Sequence, residues 1–105
     1  MAKIRAYVYK TTDPAFPYRV FPPVVILDHG DKLEVVNTVE VFDAFLTVGD
    51  GVFEGGPLNK QKVVKKHTFT TREAEAAEFT VAEYEVEVDG KKATGNSDPV
   101  IIIDP

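Results

Sequence analysis

The 105-residue chain has no cysteine, one serine (Ser97) and two histidines, His29 and His67. Without thiols, disulfides, thiolate catalysis and thiolate-bound metals are excluded together. A lone serine with no histidine near it in sequence, and no Gly-x-Ser-x-Gly turn, leaves nucleophilic catalysis little to draw on. A phosphate cradle is missing too, because Gly49-Asp50-Gly51 runs into Val52-Phe53-Glu54 with neither a lysine nor a helix start. The chain is therefore expected not to be an enzyme and to carry no cofactor. Apolar runs stop at four residues, as in Val24 to Leu27, against the roughly 20 that a membrane-spanning helix needs. The first ten residues lack the apolar centre of a signal peptide and already alternate like a strand. The expected setting is the cytoplasm, or a mature exported form with an added Met1, and no membrane is expected as a partner.

The residues that are present describe an ordinary globular chain, with 44% hydrophobic and 28% charged. Its length suits a single domain over residues 1–105. Twelve Lys and Arg against seventeen Asp and Glu give a net charge of -5, which repels phosphate backbones and argues against nucleic acid as a partner.

Period-two patterns dominate. Ile4, Ala6 and Val8 alternate with Lys3, Arg5, Tyr7 and Tyr9 as in a half-buried first strand. Prolines 14, 17, 22 and 23 predict a loop over residues 13–23, or an edge that changes sheets. Val24 to Leu27 reads as a strand buried on both faces, and Asp28-His29-Gly30-Asp31 as the turn of a hairpin into Lys32 to Asn37. Further strands are predicted over Val41 to Val48, Gln61 to Thr70, Tyr84 to Val88 and Val100 to Ile103, with Gly-rich turns between the earlier ones. Thr70-Thr71-Arg72-Glu73 fits a capping box before an alanine-rich stretch, so one short helix is expected near residues 71–78. About seven short strands and one helix make an all-β fold, an antiparallel Greek-key sandwich or barrel.

From Phe21 onward the pattern resembles the cupredoxins, the blue-copper β-sandwiches. The pieces that carry the resemblance are Pro23-Val24-Val25-Ile26, Gly30-Asp31-Lys32-Leu33-Glu34-Val35-Val36-Asn37, Phe53-Glu54-Gly55-Gly56-Pro57-Leu58 and Tyr84-Glu85-Val86-Glu87-Val88. The resemblance implies a cupredoxin-like sandwich, and it implies that the first copper histidine falls at Asp43, the cysteine at Val88, the second histidine near Lys91 and the methionine near Asn96. Blue copper needs two imidazoles and a thiolate, and none of these positions supplies them. A metal-free domain is expected.

In such a sandwich the loops at the former copper end are adjacent. Phe42, Asp43, Lys91, Lys92 and Asn96 are the candidate binding residues, with Phe42 either an exposed anchor or a plug in the vacated site. The acidic row Glu83, Glu85, Glu87, Asp89 is expected to be a solvated face balanced by Lys3, Arg5, Lys62 or Lys66 on neighbouring strands. His67 is expected at the surface beside Lys65. The expected function is a non-catalytic binding or interaction module for a protein, for itself or for a small ligand. Self-association rests on Ile101-Ile102-Ile103, a sticky strand if it lies at an edge. The alternative is a divalent-metal protein or small enzyme built on Asp28-His29-Gly30-Asp31, since carboxylates and an imidazole bind zinc or calcium.

Overall fold

The computed structural model describes residues 2–72, 80–93 and 98–104. Ten strands follow in chain order: β1 (Lys3–Lys10), β2 (Tyr18–Phe21), β3 (Val24–Asp28), β4 (Lys32–Asn37), β5 (Ala44–Val48), β6 (Leu58–Val63), β7 (Lys66–Thr70), β8 (Thr80–Val88), β9 (Lys91–Lys92) and β10 (Val100–Asp104). One sheet runs β2-β1-β4-β7, the other β3-β10-β8-β5-β6 with β9 attached to β8. The inward residues of both sheets form one apolar core, with Ala6 and Val8 from β1, Leu33 and Val35 from β4, Leu46 from β5, Val86 and Val88 from β8, and Ile101 and Ile103 from β10. No helix among the described residues is long and apolar enough to cross a membrane.

The sandwich is all-β, as the alternation predicts, but both sheets are mixed. β1 pairs with β4, and β3 with β10, in parallel. The cause is a pair of sheet crossings. β2 is an edge of the first sheet, and after Phe21-Pro22 the chain enters β3 at the edge of the second. Both readings for residues 13–23 hold in part, since residues 13–17 form a loop and β2 is the edge after which the chain changes sheets. The chain then returns through Asp28–Asp31 to the first sheet, so β3 and β4 are not the expected hairpin but strands of opposite sheets.

An edge strand has one neighbour and one solvated face. β3 accordingly buries only Val25 and Leu27, and the expectation of burial on both faces fails at Val24 and Ile26. The long strand expected over residues 61–70 is likewise two strands, β6 and β7, broken where Val64 and Lys65 carry the chain between sheets. Of the expected capping box, Thr70 ends β7 and the fully buried Thr71 bridges to Phe53. Thr71 donates its hydroxyl to the carbonyl oxygens of Asp31 (2.9 Å) and Asp28 (3.1 Å), so it clamps the crossing turn. The remainder of the expected helix, from residue 73, lies outside the described residues.

Candidate functional site

Strand register assembles the far end of the sandwich. Ala44 opens β5 opposite both Val88, the last residue of β8, and Val63, the last of β6. All three side chains are fully buried. Lys91 pairs back onto Val88 through β9. The positions implied for the first histidine, the cysteine and the second histidine thus meet at one end, with Asp43 one residue from the Ala44–Val88 pair.

The side chains there do not form a metal centre. Val88 is packed into the core and offers no lone pair. The Asp43 carboxylate turns to Lys62 Nζ, 3.3 Å away across β5 and β6. Asp89 and Gly90 both take positive φ, 53° and 71°, which is the two-residue turn that Asp-Gly favours. This turn folds the stretch expected to carry ligands into a tight hairpin. It was legible as Asp-Gly between two strands, yet the alternation of Glu83 to Asp89 pointed instead to a fourth rung of the acidic row. Three rungs are observed on β8, and Asp89 belongs to the turn. Their cationic partners also differ from expectation. Lys92 Nζ meets Glu85 Oε1 at 3.0 Å and Lys60 Nζ meets Glu87 Oε2 at 3.8 Å, whereas Lys3 and Arg5 both serve Glu34 and Lys62 serves Asp43. The Glu85 contact, with Asp98 and Glu87 nearby, holds the Lys92 ammonium above its ordinary range.

Of the candidate binding residues, Phe42 lies at the surface with 39% of its area exposed and is not the plug of this end, where Val88, Ala44 and Val63 fill the space. Lys91 is exposed and pairs with Val88 on the side of β8 away from Ala44, while Lys92 is drawn back to the acidic row. Asn96 lies outside the described residues.

The residue that organises this end is Asn37, the buried last residue of β4. Its Nδ2 donates to Phe42 O (2.9 Å) and to Val64 O and Val63 O (3.4 and 3.5 Å), and its Oδ1 accepts from the Val39 amide (3.0 Å). One side chain therefore fixes both the 38–43 loop and the β6–β7 crossing. Between them opens a cleft of about 630 Å³, lined by Asn37, Val39, Glu40, Asp43, Val64 and Lys65 among others. Val41 and Val64 stand at this end with 82% and 58% of their area exposed. Sequence reasoning used Asn37 only as a motif letter and missed Val64, because the crossing at 64–65 carries no Gly or Pro to mark it.

The Asp28–Asp31 turn is at the opposite end, since Asp28 pairs with Asp104 beyond the start of β8. β8 alone puts roughly 26 Å between its two ends at about 3.3 Å per residue. Asp31 is buried and accepts from the Ala2 amide on Oδ1 (2.8 Å) and the Asp28 amide on Oδ2 (2.9 Å). Those bonds hold its carboxyl below the usual carboxylate range. His29 Nδ1 lies 3.0 Å from Arg72 O. The turn's donors and acceptors are spent on holding backbone, and among the described residues no group of three or more His, Asp and Glu stands together as a cation site. His67, expected beside Lys65, is exposed and stacks on Phe69 with ring centroids 4.6 Å apart.

No family model and no curated protein matches this sequence. Solved structures do match its shape. A point mutant of amicyanin in its reduced Cu(I) form superposes with a TM-score of 0.63 at 13% identity, over 97% of this chain and 82% of that one. A pseudoazurin from a Sinorhizobium gives 0.60 at 18% identity, over 100% and 76%. Rusticyanin from Thiobacillus ferrooxidans gives 0.50 at 16%, over 97% and 76%. The chain has the cupredoxin fold. At these identities the likeness is one of architecture, and the residues of this chain decide what the architecture can hold. With valine at 88, aspartate at 43 bound to Lys62, and lysine at 91, the cupredoxin end here does not fit copper.

Proposed function

We propose that this chain is a non-catalytic, metal-free cupredoxin-like module that binds a protein partner through its 38–43, 63–66 and 89–92 end. The observation that carries the reading is the cluster of Val41, Phe42 and Val64. Large apolar side chains are held at the surface there by Asn37 when the same hydrophobic effect would favour turning them inward. Exposed aliphatic and aromatic residues ringed by charge are the composition of a recognition patch. Lys65, Glu40 and Asp43 supply that rim.

A photo-crosslinking amino acid at position 41 tests this in cells that express the protein. Val41 is expected to give a discrete adduct that weakens with Phe42→Ala, while the same probe at Asp50, in the exposed turn past the far end of β5, gives none. Equal adducts at both positions, or none at 41, would refute the reading.

A further inference from the structure

Exposed apolar surface also occurs at a second place, unrelated to the loop end. On the outer face of the second sheet, Ile26, Ile102 and Val81 stand side by side in register across β3, β10 and β8, with Val24 and Val100 as the next row. Ile26 and Val81 expose 62% and 58% of their area. β10, which carries Ile101-Ile102-Ile103, is interior to the sheet, so it is not the sticky edge it would be in isolation. The edge is β3.

The backbone of β3 is open there. The Val100 amide donates to Pro23 O (2.9 Å), which in a parallel ladder directs residues 23, 25 and 27 toward β10 and turns the N–H and C=O of Val24, Ile26 and Asp28 outward. Consistently, the outward Asp28 amide is the one held by Asp31 Oδ2. Among the described residues no strand pairs with this outer edge. Pro23, which has no donor, bounds the open stretch on one side and the capped Asp28 bounds it on the other. Ile26 is its centre.

The other sheet edges carry cations, which blunt strand addition: Arg19 on β2, Lys60 and Lys62 on β6, and Lys66 on β7. β3 has no charge before Asp28. Its best complement in charge is therefore its own sequence. We propose that β3 pairs antiparallel with β3 of a second copy about a two-fold axis at Ile26. The two sheets then become continuous, and the rows Ile26, Ile102, Val81 of both copies join into one apolar stripe. In that register Asp28 faces Val24 of the other copy rather than its own image. Glu83, Glu85 and Glu87 of the two copies, on the third strand from the seam, stay about 24 Å apart at ~4.8 Å per strand, well beyond the screening length of about 8 Å.

Sedimentation equilibrium of the full chain from micromolar to millimolar concentration tests the proposal. A reversible monomer–dimer equilibrium is expected. Ile26→Lys places an ammonium on the seam twice over, and is expected to weaken association on the order of a hundredfold without changing the circular dichroism spectrum. If that variant misfolds, Val24→Glu on the same edge, which sets a carboxylate directly opposite Asp28 of the other copy, serves in place of the ammonium. Asn59→Lys adds the same charge to the exposed opposite edge of the same sheet and is expected to leave the dimer intact. A monomer at every concentration, or a dimer indifferent to both β3 variants, would overturn the assignment.

Discussion

Glu34 and Tyr84 show how single side chains are held in this fold and what each will report. Glu34 sits on the outer face of β4, yet it is buried beneath Lys3 and Arg5, whose nitrogens lie 3.0 and 2.9 Å from its two oxygens, with the Thr68 hydroxyl donating at 3.4 Å. The hydrogen bond from Lys3, then that from Arg5, draws its carboxyl from 4.5 down to about 2. A carboxyl lowered by folding adds stability that is fully present above its unfolded value and disappears as pH falls through its folded value. The urea midpoint of the protein should therefore fall between about pH 4.5 and about pH 2, and should fall less steeply in Glu34→Gln. Parallel curves for the two proteins would contradict the assignment. Tyr84 behaves in the opposite way. Burial pushes its hydroxyl up, and that hydroxyl meets no hydrogen-bond partner among the described residues. An unsatisfied buried hydroxyl costs about 1–3 kcal/mol, so Tyr84→Phe should raise stability in urea denaturation by about 1 kcal/mol. A loss instead would reveal a partner for the hydroxyl.

At the scale of elements, the strands were legible and their neighbours less so. The alternation in β1 and β8 follows from one buried and one wet face, and it placed Val8, Val86 and Val88 inside correctly. β3 misled because four apolar residues in a row look alike at a sheet's centre and at an apolar edge; only pairing distinguishes them. The β3–β4 turn misled for a related reason. Asp-His-Gly-Asp chemistry reverses a chain equally well within a sheet and between sheets, and the deciding contact, Thr71 on Asp28 and Asp31, lies 40 residues away in sequence. The loop end was legible in part. Asp43 and Lys91 came from the resemblance, and the register puts them at one end of the sandwich on either side of Val88, while Asn37 and Val64 depend on a side-chain amide that bridges two loops. Asn37→Ala strands the Val39 amide and loosens both loops, so it should cost about 1–3 kcal/mol by urea denaturation, with backbone NMR shifts concentrated at residues 38–43 and 63–66. Changes spread evenly over the sheets would argue against Asn37 as the local staple.

Across the whole molecule, charge and apolar surface are distributed unevenly. Acidic rungs line one half of the outer face of β8, the β3 edge is uncharged up to Asp28, and the loop end carries unpaired aliphatic and aromatic surface. The architecture is that of a cupredoxin, but valine, alanine and a tight Asp-Gly turn occupy the end where donors would converge. The exposed apolar residues stand at two separate places, and the two proposed surfaces account for them separately. They also predict independence, because substitutions at Val41 should leave the β3 edge unaffected and those at Ile26 should leave crosslinking at position 41 unaffected.

The claim on which the account rests is that a cupredoxin fold is retained here without a metal centre. Thermal melting of the protein with excess Cu²⁺, Zn²⁺ or Ca²⁺, and with chelator, tests it most directly, since a ligand at about 100 times its dissociation constant stabilises the state it binds by ~2.7 kcal/mol. Coincident melting curves are predicted under all four conditions. A saturable rise with any of the ions, reversed by chelator, would contradict the claim.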